Sequence, residues 1–184
     1  MKLLLHICCG PCATATIPFW EAQDAELIGF FYNPNIQPEQ EYRRRLTGVR
    51  DLAEVVGLTV LEDLDRGPEA WSGVAPGPGG SRCAHCIRVR LVRAATEAAS
   101  QGCDSFSTTL AISPWQDHDA IKAEGARAAA EFGVRFLYED LRPFFPESRR
   151  LSCEWGLYRQ KYCGCFVSEW ERNQRPKARG RACS

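Results

Sequence analysis

Three tight groups of cysteine stand out among the ten in this 184-residue chain: Cys8, Cys9 and Cys12 in CCGPC, Cys83 and Cys86 in CAHC, and Cys163 and Cys165 in CGC. Thiols this close invite oxidation and stray metal, so they imply staples, metal ligands or redox catalysis. Staples fit least well. The opening MKLLLHICCG has too short an apolar run for a secretory signal, and no stretch approaches the ~20 apolar residues of a bilayer span. The expected location is cytoplasmic, with no membrane partner, where thiols stay reduced and neighbouring cysteines mean metal or catalysis. A chain of this length with 45% apolar residues can build an ordinary core without disulfides.

The spacing of Cys83 and Cys86 suits a metal clasp or a thioredoxin-type redox pair, and its position after a Gly/Pro-rich stretch rather than a strand favours metal. With Cys8 and Cys9 it offers four thiolates for a zinc or an iron–sulfur site. Side chains on adjacent residues diverge, which is awkward for a tetrahedral ion that needs each sulfur about 2.3 Å away. A four-iron cluster presents separate irons to diverging thiols, so the spacing favours a cluster over zinc. A disulfide between Cys163 and Cys165 would be strained and easily reduced, which suits an electron relay; a further ligand pair is the alternative. Cys12, one turn beyond Cys9, could face the cluster or hold a second metal. Cys103 reads as a small buried residue and Cys183 as a free tail thiol, while Cys153 has no assigned role. His6 reads as a core histidine and His85 as pointing outward. His118 is open between a surface and a catalytic role.

The formal net charge is zero, so bulk charge says nothing about nucleic acid. Its distribution says more: residues 142–184 carry ten Lys/Arg against four Asp/Glu. Arg43, Arg44, Arg45 and Arg50 form a second basic run, and Arg82, Arg88, Arg90 and Arg93 a third. These are either solvated helix faces or the footprint of a polyanion. Trp71 and Trp115, in segments that read as loops, could stack a base.

Alternating elements must position these groups. Strands are predicted at 2–8, 26–32, 58–61, 103–109 and 134–139. Helices are predicted at 12–22, with Pro18 as a warning of a short or kinked one, then from Pro38 to about Val56, at 83–100, at 117–132, and from about Trp155 into the 170s. Residues 67–80, rich in Gly and Pro, read as a loop. The pattern predicts an α/β fold with a mostly parallel five-stranded sheet, flanking helices and a helical C-terminal region. Ligands gather at the carboxyl ends of such strands. Cys8–Cys9, Asn33–Asn35 and Thr108–Thr109 should therefore converge on one edge. Residues 1–184 read as a single catalytic domain, with 142–184 as its basic helical extension.

Five ordered blocks carry a specific resemblance: LLLHICCGPCAT (3–14), FFYNPNIQPEQEYRRRL (30–46), RCAHCIRVRL (82–91), FSTTLAISPWQ (106–116) and SCEWGLYRQKYCGCFVS (152–168). Together they resemble the QueH type of epoxyqueuosine reductase. The resemblance implies a HUP/Rossmann-like fold and an oxidoreductase that reduces epoxyqueuosine to queuosine at wobble position 34 of tRNAs for Asn, Asp, His and Tyr, the last step of queuosine biosynthesis. It implies a 4Fe–4S cluster on Cys8, Cys9, Cys83 and Cys86, independence from cobalamin, and a redox-active disulfide at Cys163 and Cys165. An additional iron is described in the family, and Cys12 stands where it could serve one. The reaction needs an electron donor that the residues do not identify.

Such a deoxygenation consumes two electrons and two protons. Tyr32, Asp117, His118, Tyr158 and Tyr162 are the candidate proton donors. Arg43, Arg44, Arg45, Arg88, Arg90, Arg149, Arg150 and Arg159 are candidate phosphate holders. The alternatives are a zinc-stabilised tRNA-binding module and a tRNA thiolation enzyme. The latter's phosphate loop is replaced here by Cys8-Cys9-Gly10-Pro11.

Overall fold

The computed structural model describes residues 1–65 and 80–174. Strands β1 (Lys2–His6), β2 (Glu26–Phe31), β3 (Val60–Glu62), β4 (Ser105–Thr108) and β5 (Arg135–Phe136) form one sheet in the order β3-β2-β1-β4-β5. Every pair is parallel. The predicted α/β class holds, with a sheet that is parallel throughout. The central strand is the one whose run of apolar residues is longest. Leu3, Leu4, Leu5 and Ile7 are all fully buried, as a strand covered on both faces requires.

Alternation along β1 feeds two cores. Leu4 packs with Phe30, Leu91, Ile121 and Phe106 beneath α3 (Gly80–Ser100) and α4 (His118–Phe132). Leu3, Leu5 and Ile7 pack with Ile17, Leu46 and Val49 beneath α1 (Gly10–Glu21) and α2 (Glu39–Val56). Burying each such side chain contributes roughly 1.5–3 kcal/mol. Pro18 neither ends nor shortens α1, which runs for 12 residues around it. Asp117 caps α4 by accepting from the Ala120 N–H at 2.9 Å, and Gly133, at φ 68°, ends it in the left-handed conformation glycine favours.

The strands are shorter than predicted because the chain leaves the sheet to build the edge above it. Pairing does continue a residue beyond, as in Ile7 N–H to Phe30 O at 2.8 Å. The C-terminal expectation needs correction. Instead of one helix from about Trp155, α5 (Phe145–Glu154) precedes an irregular stretch at 155–165, and α6 (Phe166–Gln174) follows. Pro146 in the first turn starts α5, and Gly156 at φ 64° stops it. Most of the predicted loop at 67–80, with Trp71, and the tail with Cys183 lie outside the described residues.

Candidate metal centre

The expected convergence at the carboxyl edge is present. Cys8 follows β1, Cys9 is the N-cap of α1, and Cys12 lies one helical turn later. Their three Sγ atoms lie within 4.8 Å of one another, with Cys8 and Cys9 Sγ 3.7 Å apart. Thr109, just past β4, accepts from the Cys8 N–H at 3.0 Å and donates to Cys8 Sγ at 3.3 Å. Asn33 Nδ2 donates to Ile7 O at 2.9 Å, tying the end of β2 to the same corner. Gly10 lets α1 touch α2 backbone to backbone, because a Cβ there would sit 2.4 Å from Gly48 O. Gln160, from the 155–165 stretch, donates Nε2 to Cys9 Sγ at 2.9 Å, while its buried Oε1 has no hydrogen-bond partner. Nothing in the sequence around Gln160 signals this role, since it stands in an irregular segment far from the first cysteine group.

The second group adjoins the first. Cys83 and Cys86 lie in the opening turns of α3 and line a cavity of about 320 Å³ with Cys163 and Cys165. A neighbouring cavity of about 370 Å³ is lined by Cys8, Cys12 and Cys163. Both cavities also share Arg90, Trp115, Gln116, Ser168 and Glu171, so Cys163 and Arg90 stand between the thiol groups. Cys12 thus sits with Cys8 and Cys9 in one group, while Cys83 and Cys86 face the cavity beside it. Cys163 and Cys165 are free thiols.

The CGC segment hangs from α2. Arg45 donates to Cys163 O at 2.8 Å and Tyr162 O at 2.9 Å. Gln37 N–H donates to Gly164 O at 2.7 Å. Gly164 has φ 144°, and a Cβ on it would meet Asn35 Nδ2 at 3.0 Å, so the CxC spacer has to be glycine here. Gln116 Nε2 lies 3.2 Å from Cys163 Sγ and Arg82 2.8 Å from Cys165 Sγ.

Electrostatics separate the thiols. Hydrogen bonds from Cys12 and Cys9 hold Cys8 well below the ordinary thiol range, and burial pushes Cys9 up. Cys12, donating to Cys8, is also raised. Burial lifts Cys86 to about 12 and raises Cys83. At Cys165 burial opposes ionisation, but hydrogen bonds from Ser168 and the Arg82 guanidinium overcome it and lower the thiol. Burial drives His6 down to about 4; its Nδ1 pairs with Thr108 Oγ1 at 2.9 Å and its Nε2 with Tyr32 O at 3.1 Å, so it is the core histidine expected.

Several expectations change. Arg45 and Arg90 are buried, at 3% and 2% exposure, so neither is a surface phosphate holder. Arg43 pairs with Glu39, and Arg150 with Glu147 and Glu154. Arg159 turns inward to Cys153 Sγ at 2.8 Å. Both ring nitrogens of His118 are engaged, by Tyr138 Oη at 2.8 Å and Ser113 O at 2.9 Å, which makes it a brace for the 113–117 loop rather than a proton donor. Tyr158 donates to Glu41 and Tyr162 to Gln37 O. Asp117 lines the second cavity while capping α4.

The donor set fits a thiolate-bound metal or iron–sulfur group: soft sulfur donors from two helices, an orphaned buried amide oxygen, and guanidinium groups to offset anionic charge.

The family model described as epoxyqueuosine reductase QueH matches residues 3–171. A relative from Dehalococcoides mccartyi named epoxyqueuosine reductase QueH is 38% identical over 178 residues, covering 96% of this chain and 97% of that protein. One of the same name from Thermotoga maritima is 38% identical over 182 residues, covering 94% and 93%. Among solved structures, the U34-tRNA thiolase NcsA from Methanococcus maripaludis, determined with its [4Fe-4S] cluster, superposes with a TM-score of 0.51 at 13% identity over 94% of this chain and 64% of that one. That likeness is one of fold.

Proposed function

This chain belongs to the epoxyqueuosine reductase QueH family and is an oxidoreductase of queuosine biosynthesis, and from that premise we infer that it reduces epoxyqueuosine at position 34 of tRNA without cobalamin. The observation that carries this reading is the gathering of the CCGPC, CAHC and CGC segments around two adjoining cavities at the carboxyl edge of the sheet. Cys8, Cys9, Cys83 and Cys86 hold a 4Fe–4S cluster, and Cys12 is the donor available to an additional iron. Such a cluster supplies electrons one at a time.

Opening the epoxide to an alkene breaks two C–O bonds and, with two electrons and two protons, releases one water. Cys163 and Cys165 match that stoichiometry, since oxidation of the dithiol to a disulfide gives up two electrons and two protons. An electron donor then restores the dithiol. Arg82 and Ser168 hold Cys165 ready to ionise, and Arg45 fixes the pair at the cavity wall. The base leaves the anticodon stack to enter, with Trp115 at the rim beside Lys161 and Arg172. The substrates are the tRNAs for Asn, Asp, His and Tyr. Residues 1–184 act as one catalytic domain, with 142–184 its basic extension. No helix among the described residues is long and apolar enough to cross a membrane, and the proposed location is the cytoplasm.

The test is anaerobic reconstitution with iron and sulfide, then assay on tRNA bearing epoxyqueuosine without cobalamin. Brown protein that forms queuosine supports the reading. Colourless protein with stoichiometric zinc and no product replaces it with a zinc-stabilised tRNA-binding module. Cys163→Ser and Cys165→Ser should keep their iron and lose multiple turnover; normal turnover removes the relay.

A further inference from the structure

Arg90 is the one large charged side chain among the most deeply buried residues, and its surroundings are unlike those of Arg45, Arg93 and Arg82. Arg45 pairs with Glu41 at 2.8 Å, Arg93 with Asp63 at 2.6 Å and Arg82 with Glu171 at 3.8 Å. Among the described residues no carboxylate lies within 4 Å of Arg90. Its Nε donates to Cys86 O at 3.0 Å and one terminal nitrogen to Cys86 Sγ at 3.2 Å. It lines both cavities, and its charged or ionisable neighbours include Cys86, Cys163 and Cys8. Burying a lone cation costs several kcal/mol, and a guanidinium does not shed its proton to escape that cost. A position like this is sustained by anionic charge in the cavities.

We propose that Arg90 is the fixed counter-cation of the metal centre: a positioning residue that raises the centre's reduction potential and donates an N–H···S bond to Cys86. This rests on the reading that thiolates of the two cavities hold a metal centre. Each electron the centre takes up adds one negative charge, and a buried positive charge at its wall favours that more negative state. Low dielectric keeps the effect from being screened. The spacing from Cys86 is one helical turn, so α3 carries ligand and counter-charge on the same face.

The experiment compares wild type, Arg90→Met and Arg90→Lys, each reconstituted anaerobically with iron and sulfide. Iron and sulfide per chain are assayed, followed by a mediated redox titration of the loaded protein. The expected result is that R90M is reduced with an equilibrium constant about tenfold lower, a potential about 59 mV more negative for a one-electron couple, while R90K falls less. An R90M potential equal to that of wild type overturns the proposal. If R90M folds but does not hold iron, retention by R90K supports the charge and loss by both overturns it. Urea unfolding of the metal-free proteins covers a variant that folds poorly. Metal-free R90M should be at least as stable as metal-free wild type, because a cation without its anion is a cost. A metal-free R90M that unfolds more readily makes Arg90 a structural residue and overturns the proposal. Wild type that binds neither iron nor sulfide refutes the metal-centre reading itself, a separate outcome.

Discussion

The guanidinium of Arg45 reaches the carbonyl oxygen of Cys163 at 2.8 Å across 118 residues of chain, while its Nε holds Glu41 at 2.8 Å. Both side chains are almost wholly buried, and Tyr158 donates to the other Glu41 oxygen. One ion pair on α2 thereby sets where the CGC segment lies. Removing one partner leaves a buried charge alone. Arg45→Met should lower stability by about 3–5 kcal/mol in urea unfolding. A Glu41→Met/Arg45→Met double variant should recover much of that loss. Alkylation of Cys163 should quicken in both, because the latch is gone either way.

His6 predicts a pH slope. Its neutral form is favoured in the fold by burial, with the Arg90 charge adding to the effect and Cys8 opposing it. The folded value is about 4 against 6.5 ordinarily. Between those values the unfolded chain binds a proton that the folded one refuses, so stability rises with pH across that window. It is fully present above 6.5 and is lost as pH falls toward 4, by about 3 kcal/mol. Urea titrations of metal-free protein under reductant should show the slope, and His6→Asn should flatten it.

Cys165 should react as an acidic thiol. Hydrogen bonds from Ser168 and the Arg82 charge hold it below the usual 9.0 in spite of burial. Iodoacetamide labelling, mapped by mass spectrometry, should reach half its limiting rate below that pH. Ser168→Ala should move the midpoint up, and Arg82→Met should do so by less. A midpoint unchanged in both variants would show that these groups do not set the thiol's acidity.

Trp115 is 69% exposed, stands against Phe145 edge-on, and lines both cavities. An aromatic face kept in water at a cavity mouth suits base stacking. Trp115→Ala should weaken binding of the substrate tRNA by about 1–3 kcal/mol, while Trp115→Phe keeps most of it. Gel-shift or KM measurements on the same tRNA read this directly. Equal affinity for W115A places the base contacts elsewhere.

The sequence alone determined the elements and the kind of chemistry. The apolar runs of the strands, Pro38 as a helix start, and thiols grouped at strand ends and helix starts are all local signals, written within a turn or a few residues. The C-terminal region was misread because Pro146 starts a helix at 145–154 where none was expected, and Gly156 stops it where the expected helix was to begin. Only the tertiary structure decided that Cys12 joins Cys8 and Cys9, that Cys83 and Cys86 face Cys163 and Cys165, and that Gln160 reaches Cys9. It also turned Arg45 and Arg90 from members of basic runs into buried charges. Those outcomes depend on contacts separated by as many as 151 residues, as between Gln160 and Cys9, and a pattern of neighbours in sequence carries no record of which distant group will desolvate or neutralise a side chain.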